Sequence, residues 1–246
     1  MSAALRAGYA HAGAPRAPWR LVPALFIFFI SVGASQGATN LVVNGGFETA
    51  DPARPGVPLG WERPDGLGVQ WTNAPAGHGL AIRLDTRISE REMNASWARA
   101  GLTNDWFIPN AAGNAIAEVY GLSYYSRPFA VASGVTYRVT CDVLGPSGAK
   151  VWVRGYGLFR GQMAHRYEVV MICYGGGDAW RTCTLEFNPT RHRPEVTEMK
   201  VMLYAYYPAG VYWFDNVRVE AIEGIETRGQ KSETRSQRSE GRSQRP

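Results

Sequence analysis

Residues 135–158 read VTYRVTCDVLGPSGAKVWVRGYGL, two alternating runs on either side of a Gly-Pro-Ser-Gly break. Successive side chains of a strand point to opposite faces, so alternation with a period of two marks a half-buried strand. In the first run Tyr137, Val139, Cys141 and Val143 make an apolar face, with Arg138, Thr140 and Asp142 turned away. In the second, Val151 and Val153 share one face and Trp152, Arg154 and Tyr156 the other. The later run EMKVMLYAYY, starting at Glu198, repeats the pattern. There Met199, Val201, Leu203 and Ala205 face a core, opposed by Lys200, Met202, Tyr204 and Tyr206. The last two runs each set an aliphatic face against one that mixes aromatics with charge.

The same texture extends along the chain. Runs bounded by Gly, Pro, Asn and Asp predict strands over 68–73, 79–85, 124–131, 135–144, 150–158, 167–174, 181–188, 198–206 and 211–220. Many short strands with turns at regular intervals define a sandwich or a barrel. A transmembrane barrel is disfavoured, because a strand such as 135–144 lacks a continuous outward apolar band and aromatic girdles. The predicted class is all-β, a two-sheet antiparallel β-sandwich. A partly irregular insertion around 86–114 interrupts it, with a short helix expected over 89–100 and a loop over 102–114.

Both ends differ from this middle. Arg6, Arg16 and Arg20 precede an apolar run, residues 21–34, and a small-residue exit, SQGAT. That order describes a secretory signal peptide over residues 1–37, with cleavage after Ala34 or Gly37. The run falls short of the roughly 20 residues that span a bilayer. A retained N-terminal anchor is the alternative. Residues 223–246 form a basic polar tail whose last 20 residues have no aliphatic or aromatic side chain, a composition expected to stay disordered. Between the two ends, residues 38–222 constitute the expected sandwich domain.

The formal net charge of +5 comes from those ends: between them, 17 basic and 17 acidic residues balance. A uniformly basic footprint for nucleic acid is therefore absent. Cys141, Cys173 and Cys183 allow at most one intrachain disulfide. Cys173 and Cys183 flank Tyr174-Gly175-Gly176-Gly177-Asp178, which reads as a hairpin loop and favours that pair; buried free thiols are the other reading.

The start of the domain, NLVVNGGFE at 40–48, reads as a strand over 40–43 broken by Asn44-Gly45-Gly46 and resumed by Phe47 and Glu48. With GWE at 60–62, HGLAIRLD at 78–85, ASGVTYRVTCDV at 132–143, DAWRTCTLEF at 178–187 and VYWFDNVRVE at 211–220, it resembles jelly-roll carbohydrate-binding modules of the galactose-binding-like superfamily. The likeness spans nearly the whole middle of the chain and rests on order and texture, the opening and closing strands being its most specific parts. The resemblance implies neighbouring first and last strands that share a structural calcium. Glu48 and Asp215 would be its carboxylate ligands, with a carbonyl near Gly46. Calcium takes several hard oxygens, which loop carbonyls can supply beside two carboxylates. In the plainer alternative, Glu48 and Asp215 only hydrogen-bond loop amides.

Sugars present apolar ring faces rimmed by hydroxyls, and proteins meet them with flat aromatics and a few orienting polar groups. Trp152, Arg154, Tyr156, Tyr204 and Tyr206 supply both if their strands share a sheet, giving a carbohydrate-binding face for polysaccharide or cell-surface glycan on a secreted or cell-surface protein. Trp61, Tyr137 and Trp180 read as packing residues. Two rival functions stay open. A lyase or glycosidase on the same scaffold would draw on Glu118, Asp142 or Glu168, although His165-Arg166-Tyr167 and Arg191-His192-Arg193 read as solvated loops. A structural or adhesive surface protein would use the sandwich as a contact surface.

Overall fold

The structure, a computed structural model, describes residues 39–222; the expected leader and tail lie outside the described residues. The strands are β1 (Val69–Asn73), β2 (Leu80–Asp85), β3 (Leu122–Tyr125), β4 (Phe129–Ala130), β5 (Thr136–Gly145), β6 (Ala149–Phe159), β7 (Gln162–Cys173), β8 (Gly177–Phe187), β9 (Val196–Ala205) and β10 (Val211–Ile222). One sheet runs β1-β2-β10-β5-β8 and the other β3-β9-β6-β7, with β4 also paired to β9. Each strand pair is antiparallel. This is the two-sheet antiparallel sandwich expected from the strand pattern, with the jelly-roll architecture that the resemblance implies.

The alternating runs bury the faces assigned to them. Tyr137, Val139, Cys141 and Val143 from β5 meet Val151 and Val153 from β6 and Met199, Val201, Leu203 and Ala205 from β9, all buried in one core. Trp61 fills one end of that core, fully buried between Phe47, at 4.8 Å, and Tyr124, at 5.6 Å. Its Nε1 donates to the carbonyls of Val43 and Asn44.

The opening stretch is not a strand. Residues 41–46 are bends and turns that nonetheless lie along β10. Asn40 takes over the role of a ladder: its Nδ2 donates to the Val217 carbonyl (3.0 Å), and its Oδ1 accepts from the amides of Val219 (2.9 Å) and Val42 (3.0 Å). Leu41 N donates to Val219 O and Val217 N to Gly45 O, both at 2.8 Å. Here β10 shifts register between Asp215 and Arg218, and Asn216 is left-handed at φ 49°. The bulge lets the opening turn nest so closely that a Cβ on Gly45 would overlap the Val217 carbonyl. Two backbones in contact explain the glycine better than turn formation alone.

Three other local expectations change. The predicted strand 124–131 is broken by Ser126-Arg127-Pro128 into β3 and β4. His165, Arg166 and Tyr167 lie within β7, part of a long β6–β7 hairpin, and Arg166 pairs with Glu195 at 2.9 Å. The segment after Cys173 is no hairpin, since β7 belongs to one sheet and β8 to the other. Cys173 and Cys183 are disulfide-bonded, clamping those two edge strands, while Cys141 is free and buried.

The insertion covers the edge where β1 and β3 would otherwise leave the sandwich open. It contains α1 (Glu90–Arg99), started by a Ser89–Glu92 capping box in which each side chain satisfies the other residue's backbone amide. Met93 and Trp97 bury one face of α1 in the core.

Candidate functional site

Because β6 lies between β7 and β9, its outward residues form rows with theirs. Trp152 stands opposite Val170 and Met202, Arg154 opposite Glu168 and Lys200, and Lys150 opposite Ile172 and Tyr204. Tyr156 stands opposite Glu198, and Tyr125 of β3 opposite Met202. Trp152, Arg154, Tyr156 and Tyr204 therefore share one outer face, each half-buried. Tyr206, just past β9, continues it with its ring 6.4 Å from that of Tyr204.

Cations sit over these rings: the Arg154 guanidinium 5.7 Å from Trp152, Lys200 Nζ 5.8 Å from Tyr156 and Lys150 Nζ 5.7 Å from Tyr204. Arg154 Nη1 also donates to the Tyr125 hydroxyl at 3.1 Å, and Tyr204 donates its hydroxyl to the Tyr120 carbonyl at 2.8 Å. Such contacts hold flexible side chains in place before a ligand arrives, which lowers the ordering cost of binding. Burial pushes the Tyr156 and Tyr204 hydroxyls up, so both stay protonated donors at neutral pH. Met202, in the row between Trp152 and Tyr125, is only 4% exposed on this same face. The surface offers flat aromatic area with fixed polar groups, which suits stacking and hydrogen bonding.

Two of the carboxylates named for catalysis, Asp142 and Glu168, do not converge. Asp142 lies on the outer face of the first sheet, bound to Thr182 Oγ1 and Asn216 Nδ2. Glu168 lies on the outer face of the second, 3.6 Å from Arg154. The full thickness of the sandwich separates them. Trp180 is not a core residue: it sits outside the first sheet, stacked on His78 at 3.9 Å, and donates Nε1 to Pro75 O. Its even position in β8 turns it away from Phe187, Leu185 and Cys183.

The residues considered for calcium gather at one corner. Glu48 Oε1 accepts from Leu80 N at 3.0 Å. Asp215, 2% exposed, has Oδ2 2.9 Å from His78 Nδ1 and Oδ1 accepting from Asn216 N at 2.7 Å. Both carboxylates thus rest on the stretch 78–80, and Gly46 faces Asn216 Oδ1. Burial pushes the Asp215 carboxyl up, against the opposing pull of His78 and the Asn216 amide. Among the described residues, no three His, Cys, Asp or Glu side chains are grouped to hold a metal ion. A cation here would take two carboxylates plus the Asn216 oxygen and loop carbonyls. That hard-oxygen donor set fits calcium in kind, although His78 occupies one Asp215 oxygen.

One feature escaped the sequence reading. The insertion, the stretch 62–69 and β3 enclose a cleft of about 690 Å³ whose wall includes Trp97, Trp106, Phe107 and Glu62. Three large aromatics within residues 97–107, from the end of α1 into the loop that follows, were the available signal.

No protein-family model matches the chain, and no curated protein matches it. Solved structures similar in fold include several carbohydrate-binding modules. TmCBM61, in complex with β-1,4-galactotriose, is 15% identical, with a TM-score of 0.39 over 75% of this chain and 100% of that one. A family 16 carbohydrate-binding module is 14% identical, with a TM-score of 0.42 over 75% of this chain and 100% of that one. The enzymatically active domain of bacteriophage CBA120 tailspike protein 4 is 11% identical with a TM-score of 0.44; 74% of this chain matches only 21% of that one. At such identities the likeness concerns the fold alone.

Proposed function

We propose that this protein is an exported, non-catalytic carbohydrate-binding β-sandwich that takes polysaccharide or cell-surface glycan on the outer face of the β3-β9-β6-β7 sheet. The observation that carries this reading is the pairing of β6 with β9, which gathers Trp152, Tyr156, Tyr204 and Arg154 on one surface. Three cation–ring contacts hold that surface in shape. A calcium ion at the Glu48–Asp215 corner would brace the opening turn against β10 and leave the sheet face free.

The test is a polysaccharide panel scored twice, for depletion of the protein from solution and for release of new reducing or unsaturated ends. Retention without release is the expected result. Release of sugar ends would make the protein an enzyme, and no retention on any neutral polymer would end the reading of the sheet face as the glycan site.

A further inference from the structure

We propose that the cleft beneath the insertion is a second, separate site, one that binds an amino sugar carrying a free ammonium group. The proposal rests on the glycan reading for its ligand class; the cleft shares Tyr120 and Tyr125 with the edge of the sheet face but does not involve Trp152, Arg154, Tyr156 or Tyr204.

Size and lining set the first limit. About 690 Å³ lies within the usual range for small-ligand sites and accommodates one or two pyranose rings. Its mouth presents Phe107, 74% exposed, and Trp106, whose ring lies 5.9 Å from that of Trp97. An exposed phenylalanine beside a tryptophan offers a stacking platform for an apolar ring face.

Trp97 sets the second limit. It lines the cleft at 5% exposure, and its Nε1 has no hydrogen-bond partner. That N–H has no exposed surface, so Trp97 contributes apolar wall to the cleft and not a donor that a ligand can reach.

Charge decides among sugars. The wall carries Glu62, Asp65, Glu90 and Asp105 against a single cation, Arg63. Arg63 is already paired with Asp105 at 3.2 Å, both side chains about half-exposed. Nearby Arg54 is committed to Asp51 and the Trp61 carbonyl. Asp65 receives only backbone amides, and Glu90 accepts from Ala112 N. Burial pushes the Glu62 and Asp65 carboxyls up; Lys200 draws Glu62 back in part, and backbone amides do the same for Asp65. Carboxylates beside exposed aromatic faces favour an organic cation, through both direct attraction and cation–π contact. A neutral sugar would leave the negative wall unanswered, and a uronic acid would be repelled by it.

The experiment compares a β-1,4-linked glucosamine oligomer with its fully N-acetylated counterpart, by calorimetry at low and moderate salt. The free-amine oligomer should bind at least tenfold tighter, and the preference should shrink as salt rises. Glu62→Gln should reduce the preference several-fold with little change in melting temperature. Asp105→Asn, at an exposed position, should act in the same direction if the first variant folds poorly. Phe107→Ala should weaken both oligomers alike. Equal binding of the two oligomers, or a preference untouched by both carboxylate variants, would overturn the proposal. Failure of the neutral polysaccharide panel would end the sheet-face reading and leave this comparison standing.

Discussion

Trp152 and Trp61 are the two tryptophans whose truncation separates a surface platform from a core. Trp61 is fully buried, stacks on Tyr124 with 3° between the ring planes and donates Nε1 to two carbonyls. Trp61→Ala should therefore cost about 3–5 kcal/mol, as large-to-small core changes do. For a domain of this size, each kcal/mol shifts the melting temperature by about 2–4 °C, so the expected drop is about 6–20 °C. Trp152 is half-buried on the outer face, in a row between Val170 and Met202. Losing half the burial of one large side chain costs about 1–1.5 kcal/mol, or about 2–6 °C. On the ligand side, one aromatic stacking contact is worth about 0.5–1.5 kcal/mol, so Trp152→Ala should weaken retained polysaccharide about two- to thirteenfold. Scanning fluorimetry and affinity electrophoresis on the same two variants read both quantities. A melting drop for Trp152→Ala equal to that of Trp61→Ala, or an unchanged affinity, would refute the assignment of this face.

Calcium binding at the Glu48–Asp215 corner should stabilise metal-free protein by about 2.7 kcal/mol at a hundredfold excess over the dissociation constant and so raise its melting temperature. Asp215→Ala should remove that response, and a melt unchanged by saturating calcium would rule out the site. Asp85 gives a prediction in pH. Burial pushes its carboxyl up, but hydrogen bonds from Arg87 and Arg83 outweigh that and hold it below its ordinary 3.8. The stabilisation is thus complete above about pH 4 and is lost as pH falls through the lowered value. Asp85→Asn should lower stability at pH 7, with the gap to wild type closing below about pH 4; a gap constant across that range would contradict the linkage. Reducing the Cys173–Cys183 bond, which spans 10 residues, should cost about 3 kcal/mol from the loop-closure relation. Comparing denaturant midpoints with and without reductant tests this, and equal midpoints would count against the clamp.

Much of the architecture was legible in the sequence because a sheet's period of two needs no partner to be read. Val151 and Val153 against Trp152 and Arg154, and Val201 and Leu203 against Tyr204, reveal their faces from spacing alone. The nine strands predicted from residue 68 onward exist, with boundaries shifted by a few residues, except that the run over 124–131 splits into β3 and β4; the strand expected over 40–43 does not. The neutral middle of the chain likewise follows from counting. What spacing cannot say is which strands become neighbours, since that depends on contacts between residues far apart in the chain. Only the fold sets β6 beside β9, so that residues near 152 and 204 share one surface. Only the fold sends β7 and β8 to different sheets, turning an apparent hairpin into a clamp. The opening stretch shows the limit most clearly: NLVV has strand composition, yet the Asn40 side chain and the bulge at Asn216 replace a ladder with a turn. The cleft was invisible for the same reason, because Trp97, Phe107 and Glu62 meet only after the insertion folds over the sandwich edge. Periodicity is a local property of the chain, whereas a site is made of neighbours that only tertiary packing brings together.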